Sequence, residues 1–256
     1  MITMAMIFDS HAHYDDKRFD EDRDVFLSSL EANGVCGVLQ CATNPVSCKR
    51  AIALAEQYPS IYAAVGYHPE DLEGLTPKDL DDLRSLLTHD KVVAIGEIGL
   101  DYYWDSSPRL VQQAWFVDQM RLAKEFDLPV AVHDRDAHED TLTLLKQERP
   151  KGVLHAFSGS VEMAKEILDL GMYIGLGGVV TFQNARKTVE VAEMIPLDRL
   201  LLETDAPYMT PVPFRGRRND STMIRFVASR IAEIRGMDAD EILSITADNA
   251  RRLFRI

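Results

Sequence analysis

The stretch MIFDSHAH, residues 6–13, runs from three apolar residues into two histidines, His11 and His13, set two apart. If it is a strand, the two-residue side-chain period sends both imidazoles to one face, where they can grip one ion. Taken alone, such a pair is equally an exposed or core-satisfied feature near a terminus. What the other apolar runs carry at their ends decides between the two readings, and with it the fold.

Seven such runs follow: GVCGVLQCA (34–42), YAAVGY (62–67), VVAIGE (92–97), PVAVH (129–133), GVLHAF (152–157), MYIGLG (172–177) and RLLLETD (199–205). Helical patterns fill the gaps. Residues 45–57 have Pro45 near the start and apolar Ile52, Ala53 and Leu54, while 77–89 follows Thr76-Pro77, a capping residue and a proline at the first helical position. Between 109 and 126, Leu110, Trp115, Phe116, Met120, Leu122, Ala123 and Phe126 recur near the helical period, and Ser160 caps a helix expected to reach Leu170 before Gly171. Eight strands alternating with helices predict an α/β fold, a single (β/α)8 TIM barrel over residues 1–256. An open doubly wound sheet would give a similar local pattern.

A net charge of −13 argues against a broad phosphate-binding surface, because nonspecific nucleic-acid affinity comes from clustered Lys and Arg. An anionic substrate has to be met locally. No apolar run approaches the roughly 20 residues of a membrane span. The start has neither a basic segment nor a long apolar one, so no secretory signal is read and a cytoplasmic location is expected. Cys36, Cys41 and Cys48 are too few and oddly numbered for a disulfide framework, and Cys36 and Cys41, in or beside an apolar run, read as packing thiols.

In a barrel of this kind, reactive groups collect at the C-terminal strand ends. Here His11, His13, His68, Glu97, His133, His155 and Asp205 all fall at the ends of the expected strands, five of the seven histidines among them. His89 and His138 read as helix-surface residues. His133 alone would pass for a core histidine, and Glu97 or Asp205 alone for a helix cap or ion-pair partner. Together, four histidines with Glu97 and Asp205 form a nitrogen and oxygen set suited to Zn, Mn, Fe or Ni, with Mg if the carboxylates dominate. Six ligands exceed what one zinc takes, so two ions sharing a carboxylate are expected, with Glu97 as the bridge. Two metals about 3.5–4 Å apart can hold a bridging hydroxide and clamp a phosphoester, and Asp205 could bind one ion and take the proton of the attacking water.

Eight segments in order then match a known family: DSHAH, GYHP (66–69), AIGEIGLDYYW (94–104), His133-Asp134-Arg135, HAFSG (155–159), YIGLGGVVTF (173–182), LLETDAPYMTP (201–211) and NARRLF (249–254). Over nearly its whole length the sequence resembles the TatD family of metal-dependent deoxyribonucleases. The resemblance implies an amidohydrolase-type barrel in which His11, His13, Glu97 and Asp205 bind one divalent ion and Glu97, His133 and His155 the other. It further implies hydrolysis of DNA phosphodiesters, often 3′ to 5′ and on single strands, with Mg or Mn supporting activity and Zn a frequent occupant.

The same segments supply candidates for substrate binding: His68, Arg135, Tyr102 within Asp101-Tyr102-Tyr103-Trp104 as an aromatic face, and Arg215 in the basic cluster with Arg217 and Arg218. Tyr102 and Trp104 could equally roof the barrel, and the arginine loop could be merely solvated. Asn219-Asp220-Ser221 replaces the Asn-Glu-Pro of many relatives, Ala156 replaces a common Cys, and the leading MITMA is longer than the family's usual start. These departures bear on loop contacts and leave the proposed ligands intact.

Two other functions fit less of the pattern. An esterase, amidase or lactonase acting on a small substrate would use the same site. A non-catalytic, metal-stabilised interaction protein would be expected to lose Glu97 and Asp205 first. DNA is therefore the expected partner, with no membrane and no obligate protein partner legible.

Overall fold

The computed structural model describes residues 6–104 and 106–256, so the MITMA start lies outside it. Eight strands alternate with helices: β1 (Ile7–Ala12), β2 (Val35–Cys41), β3 (Ile61–Val65), β4 (Val92–Asp101), β5 (Val130–Arg135), β6 (Gly152–Leu154), β7 (Tyr173–Leu176) and β8 (Leu200–Leu202). They form one parallel sheet in sequential order. The two edges meet through a parallel bridge between Ala12 and Ala206, so the sheet closes into the expected (β/α)8 barrel and the open doubly wound alternative falls.

The helices are α1 (Arg23–Ser28), α2 (Pro45–Gln57), α3 (Pro77–Leu86), α4 (Arg109–Glu125), α5 (His138–Glu148), α6 (Val161–Asp169), α7 (Arg186–Met194), α8 (Ile224–Arg235) and α9 (Ala239–Phe254). The Asn44 Oδ1 caps α2 by accepting from the N–H groups of Val46 and Ser47 at 3.1 and 3.0 Å, with Pro45 following. The hydroxyl of Ser160 caps α6 through the Met163 N–H at 3.3 Å. Helix α3 stops at Leu86 rather than residue 89, because Leu87 and His89 turn back onto Arg84 and Leu86 and lead the chain into β4. None of the described helices is long and apolar enough to cross a membrane.

Strand lengths differ from the sequence reading where tertiary partners intervene. Glu97 does not end its strand: β4 continues to Asp101 because β5 pairs with it as far as Arg135. A register shift between Ile95 and Ile98 brackets Glu97, a bulge of the kind that re-aims a side chain. Strand β8 stops at Leu202 instead of 205 because the next residues change partner. Thr204 N–H donates to Asp9 Oδ1 at 3.0 Å and Asp205 N–H to the His11 carbonyl at 2.9 Å. His155 likewise lies just past the end of β6.

The barrel interior takes at least one residue from every strand: Phe8, Leu39 and Cys41, Ala64, Val93 and Ala94, Ala131, Val153, Tyr173 and Leu201. Alternate residues such as Ile7, Val38, Ile95 and Val132 belong instead to the layer shared with the helices. Space for Phe8 requires Gly37, since a Cβ there would lie 2.2 Å from the Phe8 ring. Phe254 of α9 stacks on Phe8 at 6.1 Å and, with Ala247 and Ala250, plugs the end where the strands begin. The other end is left for chemistry.

Candidate metal centre

A cavity of about 830 Å³ opens at the C-terminal strand ends, lined by His13, His68, Glu97, His133, His155 and Asp205 among others. His11 is fully buried beneath it. Glu97 divides its two oxygens between different partners. Oε2 lies 3.2 Å from His11 Nε2 and 3.3 Å from His13 Nε2, while Oε1 lies 2.8 Å from His133 Nδ1, 2.7 Å from His155 Nε2 and 3.5 Å from His68 Nε2. Asp205 Oδ1 completes one side, 3.4 Å from His13 Nε2 and 3.9 Å from His11 Nε2.

The hydrogen-bond network fixes which imidazole nitrogens are free. His13 Nδ1 is 2.9 Å from the Cys41 carbonyl, which can only accept, so Nδ1 carries the proton and Nε2 offers a lone pair to the cluster. His133 Nε2 donates to Asp101 Oδ2 at 3.1 Å, leaving Nδ1 as the inward lone pair. Lone pairs of nitrogen facing carboxylate oxygens at contact distance repel unless positive charge lies between them. The donor set thus fits divalent cations, and a carboxylate or carbonyl behind each ring is the usual support of a metal-binding histidine. His68 differs: its Nδ1 accepts from the Glu70 N–H at 3.2 Å, so its Nε2 carries the proton and faces Glu97 as a donor.

Three groups could each hold an ion: His11 with His13 and Asp205, His11 with Glu97 and His155, and His68 with Glu97 and His133. Glu97 is common to two of them, as expected of a bridge. His133 Nδ1 and His155 Nε2 also lie 3.4 Å apart, both on Glu97 Oε1, so the grouping of Glu97, His133 and His155 is brought together as well.

The electrostatics express the same demand for positive charge. Burial and the stacked His155 ring, 3.7 Å away, push the His11 imidazole down to about 4. Burial alone would also lower His133, but the Asp101 and Glu97 carboxylates outweigh it and raise the ring to about 10, so without a cation a proton occupies Nδ1. Burial opposes ionisation of Glu97 and Asp205, yet the surrounding histidines hold both below the ordinary carboxylate range.

Several supporting residues gave no signal in the sequence. Gln112 and Gln119, one apolar stripe apart on α4, are buried side-chain clamps. Gln112 accepts from Asp101 N–H at 2.9 Å and donates to the Asp101 carbonyl at 3.0 Å; Gln119 does the same for Tyr67, at 2.7 and 3.1 Å. Asp101 then serves the centre and its rim together, with Oδ2 on His133 and Oδ1 accepting from the Tyr103 and Trp104 N–H groups, both at 2.9 Å. Asp9 ties β1 to the chain beyond β8, its carboxylate taking Thr204 Oγ1 at 2.6 Å and Ser221 Oγ at 2.7 Å. Glu203 accepts from the Ala156 N–H, while its Oε2 and His155 Nδ1 are buried without partners. Only an unpaired polar side chain inside an apolar period, as at Gln112, would have hinted at this layer.

The substrate candidates separate. His68 and Arg135 line the cavity. Tyr102 does not: its hydroxyl donates to Asp140 at 2.7 Å and Arg109 covers its ring at 4.2 Å. Arg215 lies over Phe182 at 3.8 Å, and Arg218 binds Asp22 through both guanidinium nitrogens at 2.6 Å, so the basic loop is not at the cavity. Of the helix-surface histidines, His89 pairs with Glu56, but His138 Nδ1 holds Asp134 at 2.6 Å beside the cavity.

A closed parallel barrel with a histidine and carboxylate cluster at the C-terminal strand ends defines a metal-dependent hydrolase. Residues 8–255 match the family described as TatD related DNase, and the chain belongs to that family. The uncharacterized metal-dependent hydrolase YabD of Bacillus subtilis (strain 168) is 46% identical over 254 residues, covering 98% of this chain and all of YabD. The 3′-5′ ssDNA/RNA exonuclease TatD of Salmonella typhimurium is 36% identical, covering 98% of this chain and 99% of its own. The crystal structure of YJJV, a TatD homolog from Escherichia coli K12, superposes with a TM-score of 0.92 at 38% identity, covering 98% of this chain and 99% of that one.

Proposed function

We propose that this metal-dependent hydrolase cleaves phosphodiester bonds at the 3′ ends of unpaired DNA, with two divalent ions (Zn, Mg or Mn) as cofactors. The observation that carries the reading is the division of Glu97, with Oε2 toward His11 and His13 and Oε1 toward His133 and His155. A carboxylate so divided is suited to lie between two cations, and paired cations suit in-line displacement at phosphorus. The name of the Salmonella relative, a 3′-5′ ssDNA/RNA exonuclease, supports the direction and the unpaired strand in this reading.

His11, His13 and Asp205 would hold one ion with Glu97, and His133 and His155 the other. When bound, the ions would acidify water and neutralise charge building on the phosphate. Asp205, whose Oδ1 lies 3.4 Å from His13 Nε2, accepts the proton of the attacking water at a carboxylate oxygen. As the water oxygen bonds to phosphorus, the bond to the 3′ oxygen breaks, and the proton taken by Asp205 passes to that oxygen. His68, donor through Nε2, and the Arg135 guanidinium, both in the cavity wall, would steady the phosphate oxygens.

The test is degradation of an end-labelled single-stranded oligomer by purified protein with Mg, with Mn or with EDTA. Metal-dependent loss of label supports the reading, and the product ladder identifies the end attacked. No cleavage by protein that binds two ions would transfer the site to the second reading, a small ester or amide, which the acidic wall of the cavity favours.

A further inference from the structure

Away from the histidines, the cavity wall is acidic. Asp15, Asp16, Glu70, Asp71 and Asp134 line it, and among the described residues Arg135 is its only Lys or Arg. Nearby arginines are engaged elsewhere: Arg218 with Asp22, Arg18 with Asp16, Arg215 and Arg217 over Phe182 and Phe214. A strand running beyond the cavity meets no row of free cations of the sort that tracks a phosphate backbone.

Two exposed aromatic rings line the same cavity, Trp104 at 58% exposure and Tyr208 at 46%, while Phe157 in its wall is buried. Each is backed by a guanidinium. Arg135 lies 5.7 Å from the Trp104 ring and 4.1 Å from that of Tyr103, and Arg18 lies 4.0 Å from Tyr208. The Tyr208 hydroxyl is held by Asp16 at 3.2 Å, and the Trp104 backbone by Asp101 at 2.9 Å. A large ring that stays exposed although its neighbours fix it is a surface for an unpaired base, since every base has a stacking face.

We propose that Trp104 and Tyr208 are the stacking platforms for the two bases flanking the scissile phosphodiester, and that recognition ends there. The substrate is then the last two nucleotides of an unpaired strand, and a dinucleotide suffices. This rests on the phosphodiesterase reading above. Phosphates farther along the strand meet carboxylates, so added length contributes nothing to binding.

The experiment compares a thymidine dinucleotide with a twenty-residue oligothymidylate on the metal-loaded enzyme at 50 and 200 mM salt. The expected kcat/KM values agree within about threefold, and each falls no more than about threefold over that salt range, the loss for one contacted phosphate. Trp104→Ala and Tyr208→Ala each raise KM by about 5- to 150-fold with kcat largely kept, and Trp104→Phe restores it. A signal independent of turnover comes from fluorescence. Trp104 and Trp115 are the two tryptophans, and Trp115 packs on Tyr67, so quenching by the dinucleotide should vanish in Trp104→Phe. A long oligomer preferred a hundredfold, a much steeper salt dependence, or an unchanged KM in both alanine variants would overturn the proposal while leaving the nuclease standing. Hydrolysis of neither oligomer would overturn both.

Discussion

The backbone N–H of Asp205 donates to the His11 carbonyl oxygen at 2.9 Å, and one step further the His13 N–H donates to Ala206 at 2.7 Å. These bonds are the seam that closes the barrel, and the same four residues carry or flank the centre. Asp205 takes a left-handed conformation there, φ 56°, which a non-glycine residue holds only when its surroundings over-determine it. Closure of the fold and assembly of the site are thus one event.

Glu97 is buried among five imidazoles, so Glu97→Ala removes the carboxylate that, alone among the described residues, faces both histidine pairs. Turnover should fall more than about 100-fold, beyond what loss of a supporting residue costs, with metal content reduced and circular dichroism unchanged. Elemental analysis beside activity checks it. A variant with full metal and wild-type turnover would end the bridging assignment.

Gly175 leaves room for the Glu203 carboxylate: a Cβ there would lie 2.2 Å from Glu203 Oε2 and 3.2 Å from the His155 backbone. Gly175→Ala should cost about 1–3 kcal/mol of stability through overpacking. Because the displaced Glu203 carboxylate lies beside His155, 3.8 Å from its Nδ1, metal affinity should drop with it. Urea melts and metal titration of the variant measure the two effects separately.

His138 is raised above its ordinary value of 6.5, chiefly by its hydrogen bond to the Asp134 carboxylate. A histidine raised in the folded state contributes stability that is fully present below 6.5 and disappears as the pH climbs through the raised value. The stability gap between wild type and His138→Gln should therefore be widest in mild acid and close in alkali. Thermal melts across pH would read this, and a gap that widens with pH would contradict the pairing.

Cys48 is buried and its thiol is pushed up to about 12 by that burial; Cys41, fully buried, is raised as well. Cys36 is only half-buried, with Arg251 Nη2 at 3.2 Å. A thiol reagent should modify Cys36 first in the native protein and all three only after unfolding. Mass spectrometry of partially labelled protein locates the site.

The sequence by itself determined the barrel and marked the six polar residues that the fold gathers at one end, for a physical reason. The alternation of apolar runs with amphipathic segments is a local record of the sheet and its helices, and polar ligands at strand ends interrupt that record visibly. Caps such as Asn44-Pro45 and Ser160 act within one turn, so they too were legible. Only the tertiary structure decided how the groups are shared. That Glu97 lies inside a longer β4, that His68 turns a protonated nitrogen inward while His13 and His133 turn lone pairs, and that Arg215 faces Phe182 all depend on hydrogen bonds between elements far apart in the chain. Those bonds leave no period in the sequence. Gln112, Gln119 and Asp9 look like misplaced polar residues until the fold brings each to the backbone or hydroxyl it satisfies, because burying a polar group is tolerated only where a partner waits.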